Sequence, residues 1–436
     1  MRDLRSFSEE QELAGRVERV RDELDVRGEA SRRLTELEGR VVVLEKLAGY
    51  DASVVAGVAG SRELLAATIG VEPAEAVRTL AERMDSPQGA VEVVDDAPFL
   101  ANSVESPEVD RIVPLLTFDP GSERPYTSAS IIAARSATHG MNLSFHRMMY
   151  LGGDRFSVRV VPRHLRMVLD EGGGRARVAV LLGVHPAVSL AAATSSGPEL
   201  DELALSAAFA AGMEAFELDG LVIPAGVELV LEGEFTGELA GEGPFVDLTG
   251  TLDGVREQHV LRISKLWHRP DFLYQVILPG GVEHRLLMGT PQEPRILRAV
   301  ANAFPKVRDV ALSAGGCHWL HAVVSLAEPR PGQARNAAMA ALGAHPSLKR
   351  VVVVDDDVDI HDAEQVEWAI ATRVQADEDV IVVPGARGSS LDPSRDPADA
   401  TTAKWIIDAT IPAGRERREF LLAGRPTGDD RGGSAR

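Results

Sequence analysis

The sequence predicts a mixed α/β protein made of three successive domains, because the pattern of apolar residues changes twice along the chain of 436 residues. Residues 1–105 mix short helical and strand patterns, whereas residues 106–290 are predicted mainly as short strands between Gly, Pro and Asp turns. Strands alternate with helices in residues 291–423, as in an α/β domain. Residues 424–436 are rich in Gly and Arg, and we expect them to form a disordered tail.

The N-terminal region has the signals of a small α/β domain. A charged amphipathic helix is expected from about Ser8, and residues 41–44 are an apolar run typical of a short strand. Ser61 is predicted to cap a helix that ends near Gly70. Residues 85–107 are richer in Pro, Asp and Ser, and this change of composition indicates the first domain boundary.

The central region is predicted to form a barrel or split barrel, because many short strands follow one another at close spacing. Such barrels often hold a ligand at their mouth. The predicted strands cover residues 126–134, 141–151, 156–161, 178–184, 227–232, 260–267 and 273–278. A helix is expected between them, at residues 198–213.

The C-terminal region is predicted to contain a partly parallel sheet. Residues 351–354 are consecutive valines, a pattern typical of a strand buried on both faces. Asp362, followed by Gln365, is expected to cap the next helix. The predicted helices at residues 293–303, 333–342 and 363–374 alternate with strands at residues 307–312, 351–354 and 380–383.

The composition excludes several classes of partner. Acidic residues outnumber basic ones by 66 to 46, and the formal net charge of -20 disfavours nucleic acid or an anionic membrane surface as the main partner. The single cysteine, Cys317, excludes an intramolecular disulfide and fits a reducing compartment. The charged N-terminus lacks the apolar core of a signal peptide, and no uncharged apolar stretch resembles a membrane span. We therefore expect a cytoplasmic protein.

Two carboxylates, Glu242 and Asp247, flank a Gly-Pro pair in the stretch EGPFVDLTG. Their separation of five positions places them neither on one helix face nor on one strand face, so an irregular segment must bring them together. We expect Glu242 in a loop and Asp247 at the edge of a strand opened by Leu248 and Thr249. Acids held close in an apolar cavity suit general acid–base chemistry, and the alternative is a β-turn with solvated acids.

Arg147 lies in the apolar stretch MNLSFHRMMY, together with Asn142 and Ser144. A buried arginine is rare without a carboxylate or phosphate partner. The acids at Glu242 and Asp247 are the obvious partners, which favours one site built from both stretches. The alternative is an arginine on an edge strand with its guanidinium in water.

Asn142, His164 and Glu202 would together form a mixed oxygen and nitrogen site suited to manganese or magnesium, with a phosphate as a further ligand. The sequence spacing alone does not group these residues. A histidine at the start of a predicted helix, such as His164, is more often a local hydrogen-bond donor than a metal ligand, and an acid such as Glu202 on a helix is by default on its surface.

Two C-terminal features have both a functional and a structural interpretation. Residues 355–359, DDDVD, follow a predicted buried strand, where ligands often bind in open α/β sheets. They would hold a divalent cation or form a solvated acidic turn. Lys404 precedes an apolar strand and would reach a phosphate or carbonyl, or extend along the surface into water.

Several stretches of the chain, taken together, resemble the UbiD-type decarboxylases, the family of ferulic acid decarboxylase and of 3-octaprenyl-4-hydroxybenzoate carboxy-lyase. The likeness runs from the opening MRDLR to about Thr410, in the family's order and spacing. The matching stretches are DAPFLANSV, NLSFHRMMY, PRHLR, SSGPELDELAL, EGPFVDLTG, GCHWLHAVVS, VVVVDDDVDIHDAEQVEWAIATR and AKWIIDAT. Eight stretches in one order over nearly the whole chain make the resemblance specific.

The resemblance implies a fold and a set of cofactors. The fold would comprise an N-terminal α/β domain, a central flavin-binding split β-barrel of the flavin-reductase type, and a C-terminal α/β domain involved in dimerisation. The protein would then form a homodimer or a higher homo-oligomer. Its cofactor would be prenylated FMN, supplied by a flavin prenyltransferase and held through its phosphate by Mn²⁺ or Mg²⁺, together with K⁺.

The resemblance also implies which residues hold these cofactors. Asn142, His164 and Glu202 match the family's metal ligands. The residues implied to contact the flavin are Asn142, Ser144, Phe145, His146, Arg147, Arg163, His164 and Lys404.

The catalytic set implied by the resemblance is Arg147, Glu242 and Asp247. In the family, prenylated FMN adds across the substrate's double bond, CO₂ leaves from this adduct, and a carboxylic acid protonates what remains. Side chains accept the electron pair left by CO₂ poorly, so a cofactor is expected. Asp247 would donate the proton, Arg147 would orient the acids and the substrate carboxylate, and Glu242 would hold Arg147.

Some positions depart from the family's pattern. Ferulic acid decarboxylase has Glu where Asp247 stands, which moves the proton by roughly one carbon–carbon bond, ~1.5 Å, although other members have Asp. The family commonly has Gly where Val246 stands, and Val is bulkier and stiffer. Phe145 and His146 replace smaller apolar residues, so we expect the pocket to suit a non-aromatic or elongated acid, such as a secondary-metabolite or isoprenoid-precursor acid.

The sequence therefore predicts a prenylated-FMN-dependent carboxy-lyase that acts reversibly, without oxidation, on an α,β-unsaturated or aromatic carboxylic acid. Two other functions stay open. One is a flavin-binding, non-catalytic carrier or assembly protein that kept the fold, although the retained metal-ligand and acid–base positions argue against it. The other is metal-dependent phosphoryl transfer at residues 355–359.

Overall fold

A computed structural model describes residues 1–118, 124–195, 197 and 199–420 of the chain. The chain divides into two compact units, Met1–Pro291 and Gln292–Arg436. The tail predicted at residues 424–436 lies outside the described residues. None of the helices in the described ranges is both long and apolar enough to cross a membrane.

The first unit contains eight α-helices within the described residues. They are α1 (Leu4–Leu13), α2 (Glu29–Glu36), α3 (Arg62–Ile69), α4 (Ala76–Asp85), α5 (His164–Glu171), α6 (Pro186–Ala193), α7 (Glu202–Ala210) and α8 (Val282–Gly289).

The strands of the first unit are short, apart from two long ones near its C-terminal end. They are β1 (Val17–Leu24), β2 (Val41–Leu47), β3 (Ser53–Ala56), β4 (Val91–Val94), β5 (Asn102–Glu105), β6 (Tyr126–Thr127), β7 (Ile131–Ser136), β8 (Gly140–Phe145), β9 (Met148–Gly152), β10 (Arg155–Val158), β11 (Arg175–Leu182), β12 (Met213–Leu218), β13 (Leu221–Pro224), β14 (Leu229–Glu242), β15 (Phe245–Val246), β16 (Leu252–Asp253), β17 (Arg256–His268) and β18 (Leu273–Val276).

The largest sheet of this unit has nine strands with antiparallel pairing. Its order is β6-β9-β10-β17-β14-β11-β7-β8, and β5 pairs with β17 beside that path. The end strands β6 and β8 do not pair with each other in the described part of the chain, so this sheet is not a closed barrel. The smaller sheets are β1-β2-β3-β18, β13-β12-β4 and β15-β16.

Part of the nine-stranded sheet is buried on both faces, because some of its central strands have several consecutive apolar residues. In β7, Ile132 and Ala134 belong to one hydrophobic core, whereas Ile131 and Ala133 belong to another on the opposite face. Apolar helices cover the second face, and α6 and α7 contribute most of their residues to it. The doubly buried part of the sheet is the first part of β14 and the strands beside it, and β14 continues from there to the candidate site.

The second unit is a five-stranded mixed sheet with helices. Its strands are β19 (Val307–Leu312), β20 (His321–Leu326), β21 (Arg350–Asp355), β22 (Val380–Arg387) and β23 (Thr401–Ala409), in the order β19-β20-β21-β23-β22. Its helices are α9 (Glu293–Ala303), α10 (Gln333–Ala344), α11 (Ala363–Arg373) and α12 (Ala376–Asp379). The valines of β21 are fully buried and β21 pairs in parallel with both neighbours, which confirms the predicted partly parallel sheet.

Local sequence signals located several elements correctly. The helix at residues 293–303 and the strand at residues 307–312 have the predicted bounds. Ser61 caps α3 by accepting a hydrogen bond from the Leu64 N–H, and Gly70 ends that helix with a φ of 69°. Asp362 caps α11 in the same way.

Several central predictions are wrong in extent, among them the strand predicted over residues 126–134, which is the two strands β6 and β7. The helix predicted over residues 198–213 ends at Ala210, because Ala211 and Gly212 have φ angles of 56° and 117° and the chain turns into β12. The single strand predicted over residues 141–151 is two strands, β8 and β9. They are separated by His146, whose N–H donates to Ser130 O at 3.0 Å, and by Arg147.

Candidate active site

A cluster of three carboxylates around Arg147 lies in the first unit. Arg147 connects β8 to β9, Glu242 is the last residue of β14, and Asp247 follows β15. Asp253 ends β16, which pairs with β15. The large sheet and the small β15–β16 hairpin therefore bring together side chains that are up to 106 residues apart in sequence.

Arg147 makes its closest contacts with Glu242. Its Nε and Nη2 donate to the Oε1 and Oε2 atoms of Glu242 at 2.9 and 3.1 Å. Nη2 also donates to Asp253 Oδ2 at 3.2 Å, and Nη1 lies 3.7 Å from Asp247 Oδ2. Because the bidentate pair fixes the plane of the guanidinium, Arg147 presents Nη1 towards Asp247.

Asp247 is the accessible acid of this cluster. Its side chain is 23% exposed, whereas that of Glu242 is 0% exposed. The Leu248 N–H donates to Asp247 Oδ1 at 2.6 Å, and Oδ2 accepts no hydrogen bond from any described residue. Asp247 can therefore meet a ligand, while Glu242 serves to hold the arginine.

Arg147 remains a cation in this setting. Burial acts to lower its pKa, but the hydrogen bonds to Glu242 and the charges of Glu242, Asp247 and Asp253 outweigh burial and raise it. The ring of Phe245 lies beneath the guanidinium, with its centroid 4.3 Å from Cζ. This contact adds a cation–π interaction to the ion pairs.

Tyr126 completes the support of Glu242 from β6. Its hydroxyl donates to Glu242 Oε1 at 3.3 Å and accepts the Gly243 N–H at 3.2 Å. Burial, followed by the charge of Glu242, raises the pKa of Tyr126, so the hydroxyl keeps its proton. Sequence reasoning missed this residue, because a tyrosine in a predicted strand carries no signal of such a role.

Helix α8 packs against the loop that carries Asp247. Arg285 Nε donates to Leu248 O at 3.1 Å, and the Gly280 N–H donates to His284 Nδ1 at 3.0 Å. Burial lowers the pKa of His284, and the charge of Asp247 opposes this effect. Neither basic residue was predicted from the sequence to lie at the site.

Asn142, His164 and Glu202 form a second cluster in the same unit. Asn142 Nδ2 lies 3.3 Å from both His164 Nδ1 and Glu202 Oε1, and the last two atoms are 3.7 Å apart. Burial raises the pKa of Glu202 to about 7, although the Leu143 N–H, which donates to Oε2 at 3.1 Å, opposes this. The residue types suit a hard divalent cation such as Mn²⁺ or Mg²⁺, with the amide oxygen of Asn142, the imidazole of His164 and the carboxylate of Glu202 as ligands.

This second cluster includes a correction and a confirmation. The interpretation of Glu202 as a surface acid is wrong, because its side chain is only 4% exposed. It is the single charged residue of α7, an otherwise apolar helix, and that isolation is the sequence signal that could have predicted its burial. His164 is the first residue of α5, as predicted.

Ser144 and His146 connect the two clusters. Ser144 Oγ donates to Asn142 Oδ1 at 2.8 Å and lies 3.0 Å from His146 Nε2, while His146 Nδ1 lies 2.9 Å from Arg159 O. Burial lowers the pKa of His146 to about 4, so its imidazole is neutral. With Nδ1–H donating to the carbonyl, Nε2 carries no proton, so the single hydroxyl proton of Ser144 can be donated either to Asn142 Oδ1 or to His146 Nε2.

The remaining residues assigned to the flavin occupy different positions. Phe145 ends β8 and packs against the core beneath the helices. Arg163 is exposed at the N-terminus of α5, where its Nη1 donates to Ser195 Oγ at 2.6 Å. Lys404 is buried in β23 of the second unit, where Nζ donates to Pro346 O and burial lowers its pKa. Contact of these residues with a flavin stays a prediction.

The acidic run at residues 355–359 is occupied by arginines. Arg373 Nη2 donates to Asp357 Oδ2 at 2.7 Å, and its Nη1 donates to Asp355 Oδ2 at 3.5 Å. Arg417 binds Asp356 at 2.7 Å. Within the described ranges, no group of three His, Cys, Asp or Glu side chains is placed to hold a metal ion, which argues against phosphoryl transfer at this run.

The predicted placement of the first two acids is wrong in detail. Glu242 does not lie in a loop, because β14 extends fourteen residues and includes it. Leu248 and Thr249 form a turn and do not open a strand; instead Val246, just before Asp247, ends the two-residue strand β15. The long pairing of β14 with β17, which continues to Glu242 and Arg256, is a tertiary interaction that the local sequence does not reveal.

Comparison with known families gives a consistent result along the chain. Residues 9–84 match the N-terminal domain of 3-octaprenyl-4-hydroxybenzoate carboxy-lyase, residues 92–282 match its Rift-related domain, and residues 285–409 match its C-terminal domain. The three matches cover most of the chain in the order of the family.

Two archaeal relatives named anhydromevalonate phosphate decarboxylase are similar over almost their whole length. The protein of Methanothermobacter thermautotrophicus is 43% identical over 402 residues, which cover 90% of this chain and 93% of the relative. That of Methanocaldococcus jannaschii is 39% identical over 411 residues, covering 93% and 96%. A phenolic acid decarboxylase of Bacillus subtilis is 29% identical, with 95% and 94% covered.

Solved structures of a UbiD-class enzyme share the fold. The enzyme HmfF from Pelotomaculum thermopropionicum, in complex with FMN, aligns with a TM-score of 0.93 at 34% identity, covering 98% of each chain. An evolved dimeric form of HmfF in complex with prenylated FMN aligns with a TM-score of 0.88 at 31% identity, covering 99% of this chain and 98% of that one.

Proposed function

The chain belongs to the UbiD family of carboxy-lyases, and we propose that it is a prenylated-FMN-dependent, reversible, non-oxidative decarboxylase of an α,β-unsaturated or aromatic carboxylic acid. The observation that carries this proposal is the unequal burial of two acids at one guanidinium. Glu242 is fully buried against Arg147, whereas Asp247 is partly exposed beside the same side chain. One acid is thus built to hold the arginine, and the other to meet a substrate.

Each residue of the set has a defined task in this proposal. Arg147 uses Nε and Nη2 for Glu242 and Asp253, which leaves Nη1 to orient the substrate carboxylate. Asp247 donates the proton that replaces CO₂ on carbon, from the Oδ2 atom that lies 3.7 Å from Nη1. A proton donor placed in this way typically contributes about 10²- to 10⁴-fold to the rate. Glu242 and Tyr126 keep the arginine in position.

The metal and the flavin are assigned to the second cluster. Asn142, His164 and Glu202 would hold Mn²⁺ or Mg²⁺, which would bind the flavin phosphate together with K⁺. Prenylated FMN, when bound, supplies the electron sink that side chains lack. Solved relatives with FMN and with prenylated FMN support the flavin. The residues assigned to contact it are Ser144, Phe145, His146, Arg147, Arg163 and Lys404.

The substrate we propose is a non-aromatic unsaturated acid that carries a phosphate. Support comes from the names of the archaeal relatives, which act on anhydromevalonate phosphate, and from their identity of 39–43% over nearly the whole chain. The bulky Phe145 and His146, which precede Arg147 in the sequence, are expected to favour an elongated acid in place of a flat aromatic one. Anhydromevalonate phosphate is therefore the first compound to test.

The wider organisation of the protein is proposed along the same lines. We assign three domains at residues 1–105, 106–290 and 291–423, with the nine-stranded sheet as a split barrel of the flavin-reductase type. We also propose a cytoplasmic homodimer or higher homo-oligomer that receives its cofactor from a flavin prenyltransferase. The dimeric form of the HmfF relative supports the oligomer.

The experiment that tests the function is co-expression with a flavin prenyltransferase under anaerobic conditions. The purified protein is examined by mass spectrometry for its cofactor, and CO₂ release is measured with anhydromevalonate phosphate, unsaturated acids and aromatic acids. We expect prenylated FMN in the protein and CO₂ release from at least one acid. Bound prenylated FMN with no turnover of any acid would support the alternative, a flavin-binding carrier or assembly protein that kept the fold.

A further inference from the structure

Arg159 is an arginine near the catalytic cluster that is not part of the catalytic set. It follows β10 directly, and its N–H donates to the carbonyl of Arg147 at 3.1 Å. This bond continues the antiparallel register of β9 and β10, in which Val158 faces Met148. Directly opposite residues of an antiparallel pair project to the same face of the sheet, so Arg159 stands beside Arg147 at the catalytic cluster.

The side chain of Arg159 differs from its neighbours in having no partner. In the part of the chain that the structure describes, its guanidinium makes no hydrogen bond and no ion pair, although the residue is half-buried. The other arginines of the site are all bound: Arg147 to three carboxylates, Arg256 to Asp253, Arg163 to Ser195 and Arg285 to Leu248 O. A half-buried cation without a partner is costly unless a ligand supplies one.

The electrostatic surroundings of Arg159 favour an anion. Burial lowers its pKa first, and the charges of Arg256 and Arg147 lower it further, against a smaller opposing effect of Asp253 and Glu242. The acids nearby are already held by the other two arginines. At the Arg159 guanidinium the charges of the two arginines therefore outweigh those of the two acids, which favours an anion such as a phosphate as its partner.

We propose that Arg159 forms an anion subsite that binds the phosphate of the substrate, next to the Arg147 subsite for the carboxylate that is lost. This proposal rests on the proposed decarboxylase function. It makes Arg159 the residue that selects the substrate class, an unsaturated acid with a phosphate a few bonds from the reacting end. Because Arg159 and Arg147 lie opposite each other on neighbouring strands, which are about 4.8 Å apart, both side chains can contact one small substrate. A guanidinium fork binds a phosphate through two parallel hydrogen bonds.

A phosphomonoester can come from two sources at this site, the substrate or the flavin. The test therefore uses two readouts on the protein loaded with prenylated FMN. The first is the dissociation constant, by isothermal titration calorimetry, of a phosphorylated unsaturated acid and of the same acid without its phosphate. The second is the fraction of flavin retained after purification, from the flavin mass and absorbance.

The variants compared are Arg159→Met, Arg159→Lys and the control Arg155→Met. Arg155 lies in the same sequence segment, is exposed, and is not assigned to the site. We expect the unaltered protein to bind the phosphorylated acid about 10- to 100-fold more tightly than the unphosphorylated one. Arg159→Met should abolish this ratio, Arg159→Lys should restore part of it, and Arg155→Met should keep it.

Three results would overturn the assignment. If Arg159→Met keeps the ratio, Arg159 does not bind the phosphate. If it weakens both acids equally with unchanged flavin content, Arg159 acts on the shared carboxylate. If it loses the flavin, Arg159 binds the cofactor. Because binding is measured directly, the phosphate subsite is tested even when the protein releases no CO₂. An absence of CO₂ release with normal binding would contradict the proposed decarboxylase function and leave the phosphate subsite in place.

Discussion

Two arginine–glutamate pairs in the first unit share one geometry and differ in what surrounds them. In one pair, Arg5 donates from Nε and Nη2 to the two oxygens of Glu228, both at 2.8 Å. In the other, Arg147 donates from the same atoms to Glu242 at 2.9 and 3.1 Å. Both glutamate side chains are fully buried.

The pair at Glu228 is closed by further partners. Arg269 Nη1 lies 3.2 Å from Glu228 Oε1 and donates to Asp3 Oδ2 at 2.8 Å. The Leu273 N–H donates to Glu228 Oε2 at 3.1 Å. Glu228 and Asp3 are thus each bound by an arginine and by a backbone N–H, which for Asp3 is that of Ser6. The side chains of Asp3 and Glu228 are 9% and 0% exposed, so no ligand can reach them.

The pair at Glu242 is left open. Asp247 is 23% exposed and keeps one oxygen without a hydrogen bond from any described residue, and Arg159 has no partner among them. The comparison teaches that a buried arginine–glutamate pair does not by itself mark a functional site. What distinguishes the site is the neighbouring group whose partner is missing.

The largest effect is expected from Asp247→Asn, which removes the proposed proton donor. The rate of CO₂ release should fall by about 10²- to 10⁴-fold, with flavin content unchanged and the free energy of unfolding within about 1 kcal/mol of the original. Single-turnover measurements with the loaded protein and a substrate acid would measure this loss.

Asp253→Asn is the matched control for this change, because Asp253 also contacts Arg147. We expect the rate of CO₂ release to fall by less than about tenfold in this variant, since Arg147 keeps both hydrogen bonds to Glu242. Full turnover by Asp247→Asn would remove the proton-donor assignment, and equal losses in the two variants would mean that only the charge around Arg147 matters.

The next prediction distinguishes the Arg5–Glu228 pair, which should affect only stability, from the Arg147–Glu242 pair, which should also affect turnover. Glu228→Gln leaves Arg5 without its buried counter-charge, while Arg269 keeps its ion pair with Asp3, and we expect the change to lower the free energy of unfolding by about 3 kcal/mol. Denaturant unfolding measures that loss, and the CO₂ release per folded molecule should not change. Glu242→Gln, the matched variant, should reduce turnover as well as stability. The comparison would fail if Glu228→Gln impaired turnover in fully folded protein.

A third buried glutamate, Glu283, differs from Glu228 and Glu242 because it accepts hydrogen bonds from backbone amides and not from an arginine. The Gly57 and Ala59 N–H groups donate to it at 2.7 and 3.0 Å, and burial raises its pKa to about 7 from the 4.5 of a free side chain. Between these values the folded chain binds more protons than the unfolded chain. The stability contributed by Glu283 is therefore present below about pH 4.5 and is lost as the pH rises through 7.

We expect the free energy of unfolding to fall by about 2 kcal/mol between pH 5 and pH 7 because of Glu283. Urea unfolding at several pH values would measure this slope, and Glu283→Gln, which cannot ionise, should remove that part of it. An identical slope in the two proteins would show that Glu283 is ionised throughout.

The smallest effect is expected from Tyr126→Phe. This change removes one hydrogen bond to Glu242 and one from the Gly243 N–H, and leaves the aromatic contact with Phe245, whose ring centroid is 4.7 Å away. We expect kcat/KM to fall about fivefold, equivalent to about 1 kcal/mol. A loss as large as that of Asp247→Asn would mean that the tyrosine takes part in proton transfer.

Local patterns predicted the elements best where strands and helices alternate, as in residues 293–312 of the second unit. Each element there carries its own apolar period and cap signal. The nine-stranded sheet was harder, because β14 extends to Glu242 only through its pairing with β17. Such a pairing joins residues distant in sequence, and no local signal reports it.

The candidate site followed the same division. Residue chemistry predicted that Arg147 needs a carboxylate, and Glu242 is that partner. Asn142 and Glu202 are 60 residues apart, and they were grouped by the family resemblance alone. Asp253 was missed, because its Asp-Gly pair has the same appearance as any turn.

Glu242 and Asp247, two acids of the site, lie on elements of very different length. Glu242 ends a fourteen-residue strand that pairs with the long strand β17, whereas Asp247 follows a hairpin whose strands have two residues each. We expect substitutions in the hairpin to move the proposed proton donor without disturbing Glu242, which holds the arginine. In evolution and in protein engineering, we therefore expect the enzyme to accept other substrate acids through changes in residues 244–253. The sequence of β14 should vary less, because the fold depends on it.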